Sequence, residues 1–128
     1  MRRALLSVIA LVAAMFGGIA TAADGTSVLW SIQFHGSATS DGDVQLRVTP
    51  QTGEPILVNV KIHSGRGEMF MAKDVLAALK AQLPKGHYKA EIVHGQEVLV
   101  KAGHGEPAFG LELVASSVAG TKLKLGPG

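Results

Sequence analysis

Five histidines are the side chains of this 128-residue sequence best suited to binding a metal ion, because the chain contains no cysteine. Neutral imidazole is the commonest protein ligand for zinc and copper. The five are scattered along the chain, at His35, His63, His87, His94 and His104. None forms a His-x-His or His-x-x-x-His pair, and HExxH is absent. Unrelated surface histidines are therefore the main expectation.

The sequence predicts no bound cofactor. If a metal does bind, we favour His94 and His104 as its ligands, because hairpin and loop positions can adapt to a coordination sphere. Zinc or copper is the metal that imidazole ligands suit.

A short glycine-containing segment, Ser64-Gly65-Arg66-Gly67, lies between a predicted strand and the predicted helix. Backbone N–H groups at a helix start can receive an anion. The segment lacks both the Gly-Lys-Ser/Thr ending of a phosphate loop and the GxGxxG of a dinucleotide fold. We interpret it as a turn, and if an anion binds, Arg66 is the expected contact residue.

No catalytic motif is present. GxSxG is absent, and Asp41-Gly42-Asp43 is followed by no further acidic residue at EF-hand spacing. A pair of carboxylates for glycoside cleavage would leave no fixed spacing in a sequence. The acidic residues of the second half, however, are predicted to face outward from strands: Glu91, Glu97 and Glu112. We predict that the protein is not an enzyme, and a small hydrolase ranks last among our hypotheses.

The amino terminus has the parts of a secretory signal peptide. Arg2 and Arg3 precede the uncharged stretch 4–19, and Ala20-Thr21-Ala22 forms a small-x-small end. We predict a signal peptide over 1–22, cleaved after Ala22, and a bacterial protein that is periplasmic or secreted. The alternative is an uncleaved anchor, but the apolar stretch is marginal against the roughly 20 residues that span a bilayer. We expect no stable membrane span after cleavage.

The charge and composition of the chain exclude one class of partner. The chain has 12 Lys and Arg and 10 Asp and Glu, and two arginines leave with the signal peptide. The mature protein is then near neutral, without the basic surplus that nucleic-acid binding needs. We predict no nucleic-acid partner. The lack of cysteine also means that no disulfide forms, although export would permit one.

The elements are predicted from apolar spacing. A helix is indicated by Ala72, Leu76, Leu79 and Leu83, which fall on one face, and Pro84 ends it. Apolar and polar residues alternate in several other segments, as in half-buried strands. The first three are joined by short links and predict an antiparallel meander. The strand segments are 28–35, 44–49, 56–63, 87–93, a strand beginning at Val98, 109–113 and 121–125.

These patterns predict a mainly β fold with one helix (α+β): an antiparallel sheet or small sandwich of about seven strands with a single amphipathic helix packed on it. We expect one globular domain over 23–125 and a flexible tail over 126–128. Met69, Phe70 and Met71 are expected in the core, the alternative being an exposed patch for a partner.

The leading functional hypothesis is a small exported, non-catalytic β-rich module that binds a protein. Its partner would be another envelope or extracellular protein, and exposed strand edges would be the contact surface. The alternative is a periplasmic metal or small-ligand binding protein that uses surface histidines. The sequence does not identify the partner.

Overall fold

The computed structural model describes residues 21–22 and 25–128. The predicted signal peptide therefore lies outside the described residues, except for the backbone of Thr21 and Ala22. The elements are β1 (Thr21–Ala22), β2 (Leu29–His35), β3 (Gly42–Thr49), β4 (Ile56–Ile62), α1 (Glu68–Gln82), β5 (Tyr88–Val93), β6 (Glu97–Ala102), β7 (Gly110–Ser116) and β8 (Lys122–Pro127).

The strands form two antiparallel sheets, ordered β1-β7-β3-β4 and β5-β6-β2-β8. The prediction of a mainly β fold of about seven strands with one helix is confirmed for the described residues: seven strands have six or more residues, and β1 has two. The predicted meander of the first three strands is wrong, because β2 and β3 lie in different sheets. Alternation identifies the buried face of a strand but not its partner.

The core lies between the two sheets. It contains the alternate residues that the sequence placed on the inner faces of β2 and β3: Trp30, Ile32, Phe34, Val44, Leu46 and Val48. The buried indole Nε1 of Trp30 donates to the carbonyl oxygen of Phe109 at 2.8 Å, so the ring is buried without an unsatisfied donor. Val28, predicted to share this face, is 55 % exposed because it precedes the strand.

Helix α1 closes one open side of the sandwich. It follows β4, the edge of the first sheet, precedes β5, the edge of the second, and packs on both. Its buried face consists of Met71, Ala72, Val75 and Leu79. Leu76, which the sequence placed on this face, is only half-buried. Leu83 is buried just beyond the helix end, where its N–H donates to Leu79 O at 2.9 Å.

Successive elements alternate in direction, so the loops gather at two ends of the sandwich. We call one the Gly36 end, which holds loops 36–41, 63–67, 94–96 and 117–121. The other is the Pro84 end, which holds loops 50–55, 83–87 and 103–109. Hydrogen bonds join neighbouring loops at each end, such as Ala38 N–H to Arg66 O at 2.9 Å and Gly103 N–H to His87 O at 2.7 Å.

The predicted flexible tail is part of the second sheet. Gly126 and Pro127 belong to β8 and pair with Ser31 and Trp30 of β2, and the N–H of Gly128 donates to Leu29 O at 2.9 Å. The tail prediction is corrected here, because ladder pairing supplies the backbone partners that a frayed end lacks. Within the described residues, no helix has the length and apolar character needed to cross a membrane.

Candidate binding surfaces

The two histidines favoured as metal ligands do not come together. His94 lies in the turn before β6, at the Gly36 end, and His104 follows β6, at the Pro84 end. The six residues of β6 separate them by about 20 Å, at roughly 3.3 Å per strand residue. Two imidazoles must each lie within about 2.1 Å of one zinc ion to share it. In this structure the strand between them therefore keeps the two imidazoles apart.

The remaining histidines divide between the same two ends. His35 and His63 lie at the Gly36 end, and His87 lies at the Pro84 end. In the part of the chain that the structure describes, no group of three or more histidine, aspartate or glutamate side chains is placed to hold a metal ion.

His94 instead contacts a carboxylate on its own hairpin. Its Nδ1 lies 3.5 Å from Glu97 Oε1, and the Ser31 hydroxyl donates to Glu97 Oε2. The hydrogen bond from Ser31 lowers the pKa of Glu97 from its ordinary value, and His94 adds to this lowering. Glu97 thus holds β6 to β2 by a side-chain contact as well as through the ladder.

A pH dependence follows from the lowered pKa of Glu97. A carboxylate with a lowered folded-state pKa stabilises the fold above its unfolded pKa, and the contribution is lost as pH falls through the folded value. Ser31→Ala is expected to return the pKa of Glu97 toward its ordinary value and make unfolding less sensitive to acid. Carboxyl NMR titration of both proteins measures the shift, with Thr26→Ala as a surface control. An unchanged pKa in Ser31→Ala would contradict this assignment.

Arg66 has a partner other than the predicted anion. Its guanidinium donates from Nε and from a terminal nitrogen to the two carboxylate oxygens of Asp74, at 3.1 and 2.8 Å. This two-point pairing raises the pKa of Arg66 and neutralises its charge locally. Glu68, in the first helical turn, accepts from Gly36 N–H at 2.7 Å and adds a second negative charge. The surroundings of Arg66 therefore disfavour an incoming anion.

The methionine-rich start of α1 divides between core and surface. Met71 is buried, whereas Met69 and Phe70 are 51 % and 49 % exposed. The guanidinium of Arg66 lies 5.0 Å from the centre of the Phe70 ring, and Lys73 Nζ lies 5.4 Å from it. The core expectation is right for Met71 alone, and Phe70 is an exposed ring flanked by two cations.

A cleft of about 320 Å³ opens at the Pro84 end. In it, His87 Nδ1 lies 3.1 Å from Glu106 Oε2, an arrangement that leaves Nε2 as an acceptor when the imidazole is neutral. Tyr88 meets Phe109 edge to face, with ring centres 5.0 Å apart. Burial, and then the charge of Glu106, raises the pKa of Tyr88, so its phenol stays protonated and can donate. These groups could orient a small polar ligand.

A second concave surface, the lysine groove, lies between the last turn of α1 and the first half of β5. It has a volume of about 430 Å³ and an apolar floor that includes Leu79, Leu83 and Ala90. Its remaining side chains include three lysines, Lys80, Lys85 and Lys89, and no acidic residue lines it. The groove therefore combines apolar contact area with positive charge.

The outer edge of β5 is unpaired beyond Tyr88, which itself forms a bridge with Lys85. The N–H of Gly103 donates to His87 O at 2.7 Å, which fixes the alternation of the β5–β6 ladder. Residues 87, 89, 91 and 93 bond to β6, so the N–H and C=O of Ala90 and Ile92 point to the outer edge. Among the described residues, neither Ala90 nor Ile92 makes a further backbone bond there.

The β4 and β8 edges are obstructed. Beside β4, the Gln82 amide accepts from Asn59 N–H at 3.0 Å and donates to Asn59 O at 2.9 Å, as a neighbouring strand would. The outer edge of β8 ends in Pro127, which has no N–H, and its outward side chains include Lys122 and Lys124. On β7, the short strand β1 occupies the middle of the edge, but Thr21 and Ala22 belong to the predicted signal peptide, and its cleavage would leave this edge unpaired.

The lysine groove was not predicted from the sequence. Lys80 and Lys85 fit the helix C-terminus, where cations suit the dipole, and Lys89 fits the outward face of a strand. Their convergence depends on where β5 lies relative to α1, which residue spacing does not encode. No protein-family model matches this chain, and a search of curated proteins finds no significant relative.

Proposed function

We propose that this protein is a small exported, non-catalytic module that binds another envelope or extracellular protein by adding an extended segment of that partner to β5. The observation that carries the proposal is the open backbone of Ala90 and Ile92 beside the lysine groove. Strand addition obtains affinity from main-chain hydrogen bonds and specificity from pockets that accept alternate side chains. β5 offers both features in one place.

The arrangement of edges supports β5 rather than β4 or β8 as the contact. A side-chain amide already occupies the centre of the β4 edge, and a proline ends the β8 edge. Such features are the means by which proteins block unwanted strand pairing. β5 lacks the blocking features of β4 and β8, as expected of a strand that pairs with a partner.

Site-specific photo-crosslinking in the cell envelope tests the proposal. A photoreactive residue in place of Lys89, on β5, is expected to give one main adduct, and the same residue in place of Lys124, on β8, is expected to give none. Ala90→Pro removes the outward N–H of β5, and proline is tolerated at an edge where the N–H is not used. This change is expected to abolish the Lys89 adduct while the protein stays folded.

Leu125→Pro is the matched control, because it removes an outward N–H from the opposite edge of the same sheet. It is expected to leave the adduct unchanged. Equal adducts from both photoreactive positions, or a Lys89 adduct that persists in Ala90→Pro, would show that β5 is not the contact edge.

A further inference from the structure

The three lysines of the groove share one concave surface whose lining contains no acidic residue. Arg47 pairs with Glu112 at 2.6 Å, and Lys101 Nζ pairs with Glu91 at 2.9 Å. Lys80, Lys85 and Lys89 form no ion pair with any described residue, although they line one surface. Like charges placed together without a counter-charge repel one another, and an incoming anionic group relieves that repulsion.

We propose that the lysine groove binds an acidic extended segment of the partner protein, one in which apolar residues alternate with aspartate or glutamate. This inference rests on the proposed strand addition to β5 and specifies its partner. No stretch of residues 25–128 alternates apolar residues with aspartate or glutamate over the length of a strand. We therefore assign the ligand to a separate protein. The positive charge of the groove favours an acidic segment over a neutral one.

The alternation of the segment follows from the geometry of an added strand. Successive side chains of a strand point to opposite faces of its sheet, with about 7 Å between residues on one face. Side chains on the face toward α1 meet Leu79 and Leu83 and are therefore apolar. Those on the other face lie beside Lys89 and Glu91, the exposed residues of β5 that point away from the core, and Glu91 is paired with Lys101. The position beside Lys89 suits a carboxylate.

The end of the segment nearest Pro84 meets the other two lysines. Lys80 lies on the exposed face of the last helical turn, and Lys85 lies in the loop between α1 and β5. Both are exposed, so each ion pair is weak by itself and is screened by salt. Three such contacts together are expected to give about a tenfold preference for an acidic over a neutral segment.

Two blocked ten-residue peptides test this preference: one that alternates valine with glutamate, and one that alternates valine with glutamine. The acidic peptide is expected to bind the purified protein about tenfold more tightly at low salt, with the difference shrinking as salt rises. A triple variant, Lys80→Gln with Lys85→Gln and Lys89→Gln, is expected to lose the difference. The matched control, Lys61→Gln with Lys122→Gln and Lys124→Gln, removes the same charge elsewhere and should retain it.

Ala90→Pro separates this inference from the proposed function. If both peptides bind equally and both are lost in Ala90→Pro, strand addition stands and the acidic preference is overturned. If the acidic peptide still binds Ala90→Pro, or if inorganic polyphosphate binds as tightly and depends on the same lysines, the groove is a polyanion site and strand addition is overturned there. If neither peptide binds, both proposals fail.

Discussion

Replacing Leu79 with alanine is expected to lower the free energy of unfolding by about 2 to 5 kcal/mol, the usual cost of truncating a fully buried leucine. Leu79 is fully buried where α1 closes the side of the sandwich between β4 and β5. Truncation removes apolar contacts and leaves a cavity that two sheets and a helix cannot easily fill. Equilibrium urea unfolding followed by tryptophan fluorescence measures the change, since Trp30 is the sole tryptophan and is buried.

Leu76→Ala is the matched control on the same helix. Leu76 is half-buried, so its truncation is expected to cost clearly less than that of Leu79. Equal losses for the two variants would mean that the helix is rotated relative to the face described here. That rotation would also move Lys80 relative to β5 and remove the basis for the lysine groove.

Gly36→Ala is expected to be destabilising for a different reason, by about 2 to 5 kcal/mol, because it combines backbone strain with a clash. Gly36 has a φ of +98°, and a Cβ there would lie 2.4 Å from the carbonyl oxygen of Gly120. Two loops of the Gly36 end approach so closely at this point that no side chain fits between them. Thermal unfolding and urea unfolding of the variant measure the loss.

Gly53→Ala is the control that has the backbone strain without the clash. Gly53 has a φ of +103°, but a Cβ there would meet nothing within 4 Å. This control is expected to cost only about 1 to 2 kcal/mol, the strain of a left-handed residue. If Gly36→Ala cost no more than Gly53→Ala, loops 36–41 and 117–121 would not be in the contact described.

Local pattern was sufficient to predict the faces of the strands. The alternation in Trp30-Ser31-Ile32 and in Val44-Gln45-Leu46 correctly identified which residues enter the core, because a strand has a period of two and one buried face. The helix was likewise recognisable from spacing and from Pro84. Its buried face lies nearer Met71 and Val75 than predicted, because both sheets contact it and cover a different stripe.

Which strands are neighbours in a sheet could not be predicted from the alternation of apolar and polar residues. Whether the loop after His35 returns to the same sheet or crosses to the other one depends on long-range packing rather than on its own residues. The crossing places β2 between β6 and β8. The separation of His94 and His104, by contrast, follows from β6 lying between them in the chain, which the strand predicted to begin at Val98 already implied.

The kind of binding surface could be predicted from the sequence, but its place in the fold could not. An exposed strand edge was expected from a small β-rich protein, but the sequence did not show which edge would be open. Gln82 is an exposed residue at the end of the helix, and its role in covering Asn59 of β4 appears only in three dimensions. The lysines beside β5 were interpreted one at a time for the same reason.

The state of a single backbone amide tests the central claim most directly. Hydrogen exchange of the Ala90 N–H, followed by NMR, is expected to be fast in the free protein and slow when the acidic peptide is bound. The neighbouring N–H of Glu91, which faces Leu99 of β6, should exchange slowly in both states and serves as the internal reference. An Ala90 amide that is as protected as Glu91 in the free protein, or unchanged at saturating peptide, would contradict strand addition at β5.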